Sequence, residues 1–124
     1  IDQEPTYRPI KVEHVDSGEI LSQSVISGDV VYVCGLTATD RTLDIAGQTA
    51  EVLAKIDDRL AKCGSDKSKI LMATIYLTSI DLKSEMNEVW KSWLGDLKRP
   101  ARACVGGIEL TPGVLVEIVV SAAR

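Results

Sequence analysis

The 124 residues predict an α+β domain, with helices packed on one face of a mixed β-sheet. Three observations lead there. Short stretches rich in β-branched residues alternate with two longer amphipathic stretches of helical period. Gly, Pro and Asp punctuate the joins between them. The length suits one hydrophobic core that needs no metal or disulfide, hence a single domain over residues 1–124.

Residues 1–15 give no clear period and are expected to form an N-terminal extension, with at most an extra strand near Ile10-Lys11-Val12. Ile20 to Ile26 reads as the first secure strand. Ser27-Gly28-Asp29 makes a turn, and Val30 to Leu36 returns as a second strand, so the pair predicts a hairpin. From Ala46 to Cys63 the residues Ala50, Leu53, Ala54, Ile56 and Leu60 recur near helical spacing, with Glu51, Lys55, Asp58 and Arg59 largely opposite. Asp44 is the expected N-cap and Gly64 the residue that ends the helix. A strand follows around Ile70 to Leu77. Asp81 or Ser84 is expected to open a second helix carrying Met86, Val89, Trp90, Trp93 and Leu94, which Gly95 terminates. Ala101 to Ile108 reads as a strand, Thr111-Pro112-Gly113 as a turn, and Val114 to Val120 as the last strand. The predicted order is β-β-α-β-α-β-β. Several strands are apolar on both faces. With helices on one face only, the other face needs a second cover, and association of identical chains is the simplest one.

Composition narrows the function. A net charge of −4 argues against nucleic acid as the main partner. No apolar run approaches the ~20 residues of a membrane span, and the start at Ile1-Asp2-Gln3-Glu4 carries no apolar signal segment. Cys34, Cys63 and Cys104 lack CxxC spacing, which argues against a disulfide framework or a zinc site and for a reducing, cytoplasmic setting. His14 is the single histidine, so most His-based triads and multi-histidine metal sites are excluded.

Two charged residues interrupt apolar strands. Arg102 follows Pro100-Ala101 and must find an anion or solvent, because an unpaired buried guanidinium is costly. Its planar fork suits a carboxylate; a structural ion pair with Glu117, or a surface position at a strand end, would also account for it. Glu117 sits between Val114-Leu115-Val116 and Ile118-Val119-Val120. An edge position, an ion pair or a proton-shuttling site would each explain it. Cys104 lies two residues past Arg102, so the two share a face in a regular strand. Free cysteines usually pack as small hydrophobes, which is the expectation for Cys34, Cys63 and Cys104. Asn87 is placed either to cap a loop or to line a pocket, Trp90 and Trp93 read as core, and His14 as a surface residue.

The C-terminal segment resembles a known family. Arg99-Pro100-Ala101-Arg102-Ala103-Cys104-Val105, followed by Leu110-Thr111-Pro112-Gly113-Val114-Leu115-Val116-Glu117-Ile118, is similar to the signature of the RidA, or YjgF-like, reactive-intermediate deaminases. Val30 to Leu36, Gln48-Thr49-Ala50, Cys63-Gly64-Ser65 and Met86-Asn87-Glu88-Val89-Trp90 match further family segments in order. The resemblance implies a chorismate-mutase-like fold and a homotrimer with clefts between subunits. It implies hydrolysis of enamines and imines (2-imino acids to 2-oxo acids and ammonia) with no cofactor or metal. Arg102 would bind the substrate carboxylate, Glu117 would position or activate water, and the backbone carbonyl of Cys104 would help hold that water. Asn87, Leu21, Cys34 and Gly35 would line the substrate. Leu21 stands where familiar members carry Tyr, Cys34 where they carry Ser, and Leu36 where they carry Gln. This wall is therefore expected to be more apolar and to suit a bulkier imino acid. Binding of 2-oxo acids in the same cleft without catalysis is the alternative.

Overall fold

The computed structural model describes residues 9–124. Strands β1 (Val12–Ser17), β2 (Ser22–Ser27) and β3 (Val30–Thr37) lead into helix α1 (Ile45–Lys62). Strand β4 (Ile70–Leu77), helix α2 (Lys83–Leu94) and strands β5 (Ala101–Val105) and β6 (Val116–Ala123) follow. All six strands join one sheet, in the order β1-β2-β3-β6-β4-β5. Among the described residues only the β4–β5 pair is parallel. The predicted order therefore lacks one strand at its start. Val12 to Val15, expected in an extension, pair with Val25 to Ser27 and Ser24 as an edge strand. The acidic start Ile1 to Glu4 lies outside the described residues.

Both helices cover one face, where alternate strand residues are fully enclosed. Val31, Val33, Ala73, Ile75, Val116, Ile118 and Val120 from the sheet meet Val52, Leu53, Ile56, Leu60, Met86 and Trp90 from the helices. Burial of each such aliphatic chain contributes ~1.5–3 kcal/mol. The other face is mixed rather than uniformly apolar. Tyr32 and Met72 are exposed there, and Thr74, Val119 and Ser121 are half-buried around a shallow hollow of about 240 Å³.

Local chemistry sets the element ends. Asp44 caps α1 by accepting from the Gly47 N–H at 2.9 Å, and Gly64 follows the helix at φ +76°. The second helix starts differently from expectation. The Ser79 side chain caps a short 3-10 turn over Ile80–Leu82, and α2 continues from it with no side-chain cap of its own, so neither Asp81 nor Ser84 plays that part. β5 stops at Val105, and the backbone turns at Gly107 (φ +71°) before the Ile108 N–H donates to the Leu77 carbonyl at 3.1 Å; Gly106 lies close against Ile80. β6 begins at Val116 rather than Val114, because Leu115 turns its N–H to Gln48 Oε1 (2.9 Å) and its carbonyl to the Thr78 N–H (3.1 Å).

A β-bulge interrupts the β3–β6 pairing. Val33 faces Val120 and Leu36 faces Ile118, so Cys34 and Gly35 together oppose Val119. It fixes the surroundings of Glu117, as described next.

Candidate functional site

Arg102 emerges from β5 opposite Ala73 of β4, a residue of the helix-covered face. It lies at the sheet edge, half-buried, with its guanidinium carbon 5.4 Å from the centroid of the Trp90 ring on α2. That distance is within the range of a cation–π contact. Among the described residues Arg102 makes no ion pair. It opens into a cavity of about 440 Å³ that Ser84, Asn87, Trp90, Arg99 and Pro100 also line. Asn87 lines it as well; its Oδ1 is buried and, among the described residues, has no hydrogen-bond partner. A cavity with an unpaired cation in its wall is suited to a ligand bearing an anion. Cys104 faces Ile75 across the β4–β5 pair and packs its side chain against the core, on the same face as Arg102.

Glu117 lies elsewhere. It pairs with Thr37 on β3 and Tyr76 on β4, and projects from the face the helices leave open. Its carboxylate rests on the bulge: a Cβ on Gly35 would lie 2.8 Å from Glu117 Oε2. Gly35 thus leaves room for the close approach of the Glu117 carboxylate, and its backbone angles do not call for glycine. Beside it, Cys34 Sγ donates to Gln23 Oε1 at 3.6 Å, and Arg59 Nε donates to the same oxygen at 3.3 Å. Burial pushes the Cys34 thiol above its ordinary range, partly offset by the Arg59 charge, while the Glu117 charge raises it further. A raised thiol is less readily ionised, which favours a packing role for Cys34 over a nucleophilic one. Leu21 is exposed in the β1–β2 turn, in a second hollow that also takes in Gln23.

The residues singled out in the sequence thus fall into two groups. Arg102, Asn87 and Cys104 stand at the β5 edge; Glu117, Gly35, Cys34 and Leu21 stand along the sheet toward β1. Arg102 and Glu117 form no ion pair. Tyr76 faces Glu117, while Ala73, three residues away on the same strand, faces Arg102, so the two charges leave opposite faces. With ~4.8 Å between strands and ~3.3 Å per residue, their Cα atoms are about 14 Å apart. Trp90 reads as core in the sequence, and is 5 % exposed, but its contact with Arg102 was not foreseen. Arg99 and Ser84 were not foreseen as cavity residues either. His14 is exposed on β1, and Cys63 is buried behind α1.

Residues 14–124 match the family model described as endoribonuclease L-PSP. A RutC family protein of Haemophilus ducreyi is 38 % identical over 112 residues, covering 90 % of this chain and 96 % of the relative. The RutC family protein YoaB of Escherichia coli is 35 % identical over 112 residues, 90 % of this chain and 97 % of its own. Among solved structures, NMB1025 of Neisseria meningitidis, a member of the YjgF family, superposes with TM-score 0.89 at 35 % identity, covering 94 % of this chain and 98 % of that one. Rv2704 of Mycobacterium tuberculosis, from the YjgF/YER057c/UK114 family, gives TM-score 0.82 at 30 % identity, with 92 % and 100 % covered. The mixed sheet with two helices on one face is the chorismate-mutase-like architecture of these neighbours.

Proposed function

The chain belongs to the endoribonuclease L-PSP family, which holds the YjgF, RidA and RutC proteins, and on that footing we propose that it hydrolyses 2-imino acids and their enamine tautomers. Water adds to the imine carbon, the C–N bond breaks, and ammonia and a 2-oxo acid leave. The observation that carries the reading is the unpaired Arg102 guanidinium, steadied over Trp90 in the wall of a concave cavity. A carboxylate docked bidentately there would place the adjacent C=N bond within the cavity that Asn87 also lines. Glu117 takes the proton of the attacking water and returns one to the departing nitrogen. The backbone carbonyl of Cys104 is a further acceptor for that water.

Within one chain Arg102 and Glu117 leave opposite faces of the sheet, so the complete site in this reading forms between copies. The β5 edge of one subunit supplies Arg102 and Asn87. The open sheet face of a neighbour supplies Glu117 on its Gly35 bulge, with Leu21 and Cys34 as an apolar wall. A homotrimer closed through those faces satisfies this arrangement. The three free thiols suit a reducing compartment such as the cytoplasm.

The test generates imino acids in situ with an amino-acid oxidase and follows their decay. Acceleration over the spontaneous rate is expected, and decay at the spontaneous rate would overturn the hydrolase reading. The separation of Arg102 from Glu117 also favours a second reading, in which the Arg102 cavity binds 2-oxo acids without catalysis. Arg102-dependent binding with no acceleration would select it. The ribonuclease named in the family description fits poorly with a net charge of −4 and a lone His14 on β1, at the opposite edge of the sheet from β5.

Gly35 offers a separate handle on Glu117. Gly35→Ala adds a methyl that meets only the flexible end of the Glu117 side chain. The fold is expected to keep its thermal midpoint to within about 3 °C, as for substitutions that touch no buried group. Imine hydrolysis is expected to fall about tenfold, because the carboxylate is displaced from its seat. Wild-type kcat/KM in this variant would remove Glu117 from the mechanism.

A further inference from the structure

We infer that the Arg102 cavity selects substrates with a second acidic group, that is, 2-imino dicarboxylic acids, and that Arg99 binds the distal carboxylate. The inference rests on the imine-hydrolase reading for the word substrate, but not for the binding preference itself. The chain as a whole is acidic, with 18 Asp and Glu against 14 Lys and Arg. Its Arg102 cavity reverses that balance. Arg99, Arg102 and Lys91 line it, against one carboxylate, Glu88. Lys91 is already neutralised, with its Nζ 2.8 Å from Glu88 Oε1. Arg99 and Arg102 have no carboxylate partner among the described residues.

Arg99 is held in place. Its Nη1 donates to the carbonyls of Gly95 (2.8 Å) and Leu97 (2.9 Å) just past the end of α2. One guanidinium nitrogen is thereby spent on the backbone, and the other edge of the fork stays available. Two residues lie between Arg99 and Arg102, so their Cα atoms are at most ~11 Å apart. From that separation the two side chains, which line the same cavity, can meet the two ends of a four- or five-carbon diacid. Two like charges facing one concave space repel each other and are relieved by a dianion more than by a monoanion. Arg99 is exposed and Arg102 half-buried, so salt screens part of this repulsion. A nucleic-acid strand is a poor alternative occupant, since the positive charge is confined to one cavity on an acidic chain.

The matched probes are 2-oxoglutarate and 2-oxopentanoate, equal in chain length and differing in the distal carboxylate. Calorimetry on the intact protein is expected to give at least tenfold tighter binding of 2-oxoglutarate. In Arg99→Gln that ratio is expected to fall to about one, and in Arg99→Lys to remain largely intact, since the charge is kept. Circular dichroism confirms that each variant is folded. A ratio near one in the wild type, or a ratio unchanged in Arg99→Gln, overturns the inference. Rates on the corresponding imino acids separate the two levels. Equal hydrolysis of both imino acids, with equal binding, removes the diacid preference and leaves the hydrolase standing. Preferred binding of the diacid with no hydrolysis of either does the reverse.

Discussion

Arg102→Ala is expected to lower kcat/KM for imino acid hydrolysis about 10²–10³-fold while leaving the fold intact. Removing one partner of a hydrogen-bonded charge pair in a partly enclosed site costs ~3–4 kcal/mol, and each ~1.4 kcal/mol is tenfold in rate. The carboxylate is held both before and during water attack, so most of the loss should fall on KM, with a smaller part on kcat from lost orientation. Arg102→Lys keeps the charge but not the fork, and about tenfold should be lost. Stability should change by ~1 kcal/mol or less, because Arg102 is half-buried at a sheet edge and its cation–π contact with Trp90 is a modest one. Steady-state rates on imino acids and calorimetry with a 2-oxo acid check both parts. Unaltered kcat/KM in Arg102→Ala would sink the carboxylate grip, and with it the assignment of the cavity.

The largest loss of stability is expected at Gln48, which is fully enclosed although polar. Its Nε2 donates to the carbonyls of Leu43 (3.1 Å) and Gly113 (2.9 Å), and its Oε1 accepts the Leu115 N–H (2.9 Å). One side chain thus ties the start of α1 to the segment that delivers β6 and, two residues on, Glu117. Gln48→Leu keeps the volume but strands three backbone groups away from water. At ~1–3 kcal/mol for each group that stays buried, and with partial rehydration near exposed Leu43, the loss should be ~2–4 kcal/mol. For a domain of this size that lowers the thermal midpoint by about 10–15 °C. Thermal unfolding followed by circular dichroism measures it. A shift below about 3 °C would mean the loop rehydrates freely.

Much of this architecture was legible in the residues. Asp44 and Gly64 bracket α1 because capping depends on side chains adjacent in sequence. The hairpin at Ser27-Gly28-Asp29 was legible for the same reason, with Gly28 at φ +59°. β1 was legible only as a possible strand near Ile10-Lys11-Val12, because Val12–Ser17 is short and at most half-buried, and its strand character comes from the partner it finds in β2. The start of α2 was misplaced because a 3-10 turn capped by Ser79 precedes the α-helix. At the candidate site, the residue types were legible and their relative placement was not. Whether Arg102 and Glu117 share a face depends on the register of β5 and β6 against β4, a property of strand pairing that no local pattern records. The bulge at Cys34-Gly35 is likewise a mismatch between two strands. The stacking of Arg102 on Trp90 joins β5 to α2 through tertiary packing alone.

The strand order carries a consequence for synthesis. β6 comes last among the strands in the chain but lies in the interior of the sheet, between β3 and β4. Until it emerges from the ribosome, the nascent domain holds two separate pieces, β1-β2-β3 and β4-β5, each with a bare apolar edge. Neither can close on the other, since no ladder links β3 to β4 directly. Folding of the domain is thus deferred until its last strand is released, and the contacts that complete it are long-range and slow to form. During that interval the rows at Val31–Val33 and Ala73–Ile75 are open to pairing with strangers. A chain stalled before Val116 should therefore depend on chaperones that shield strand edges, whereas one in which β6 has emerged should not.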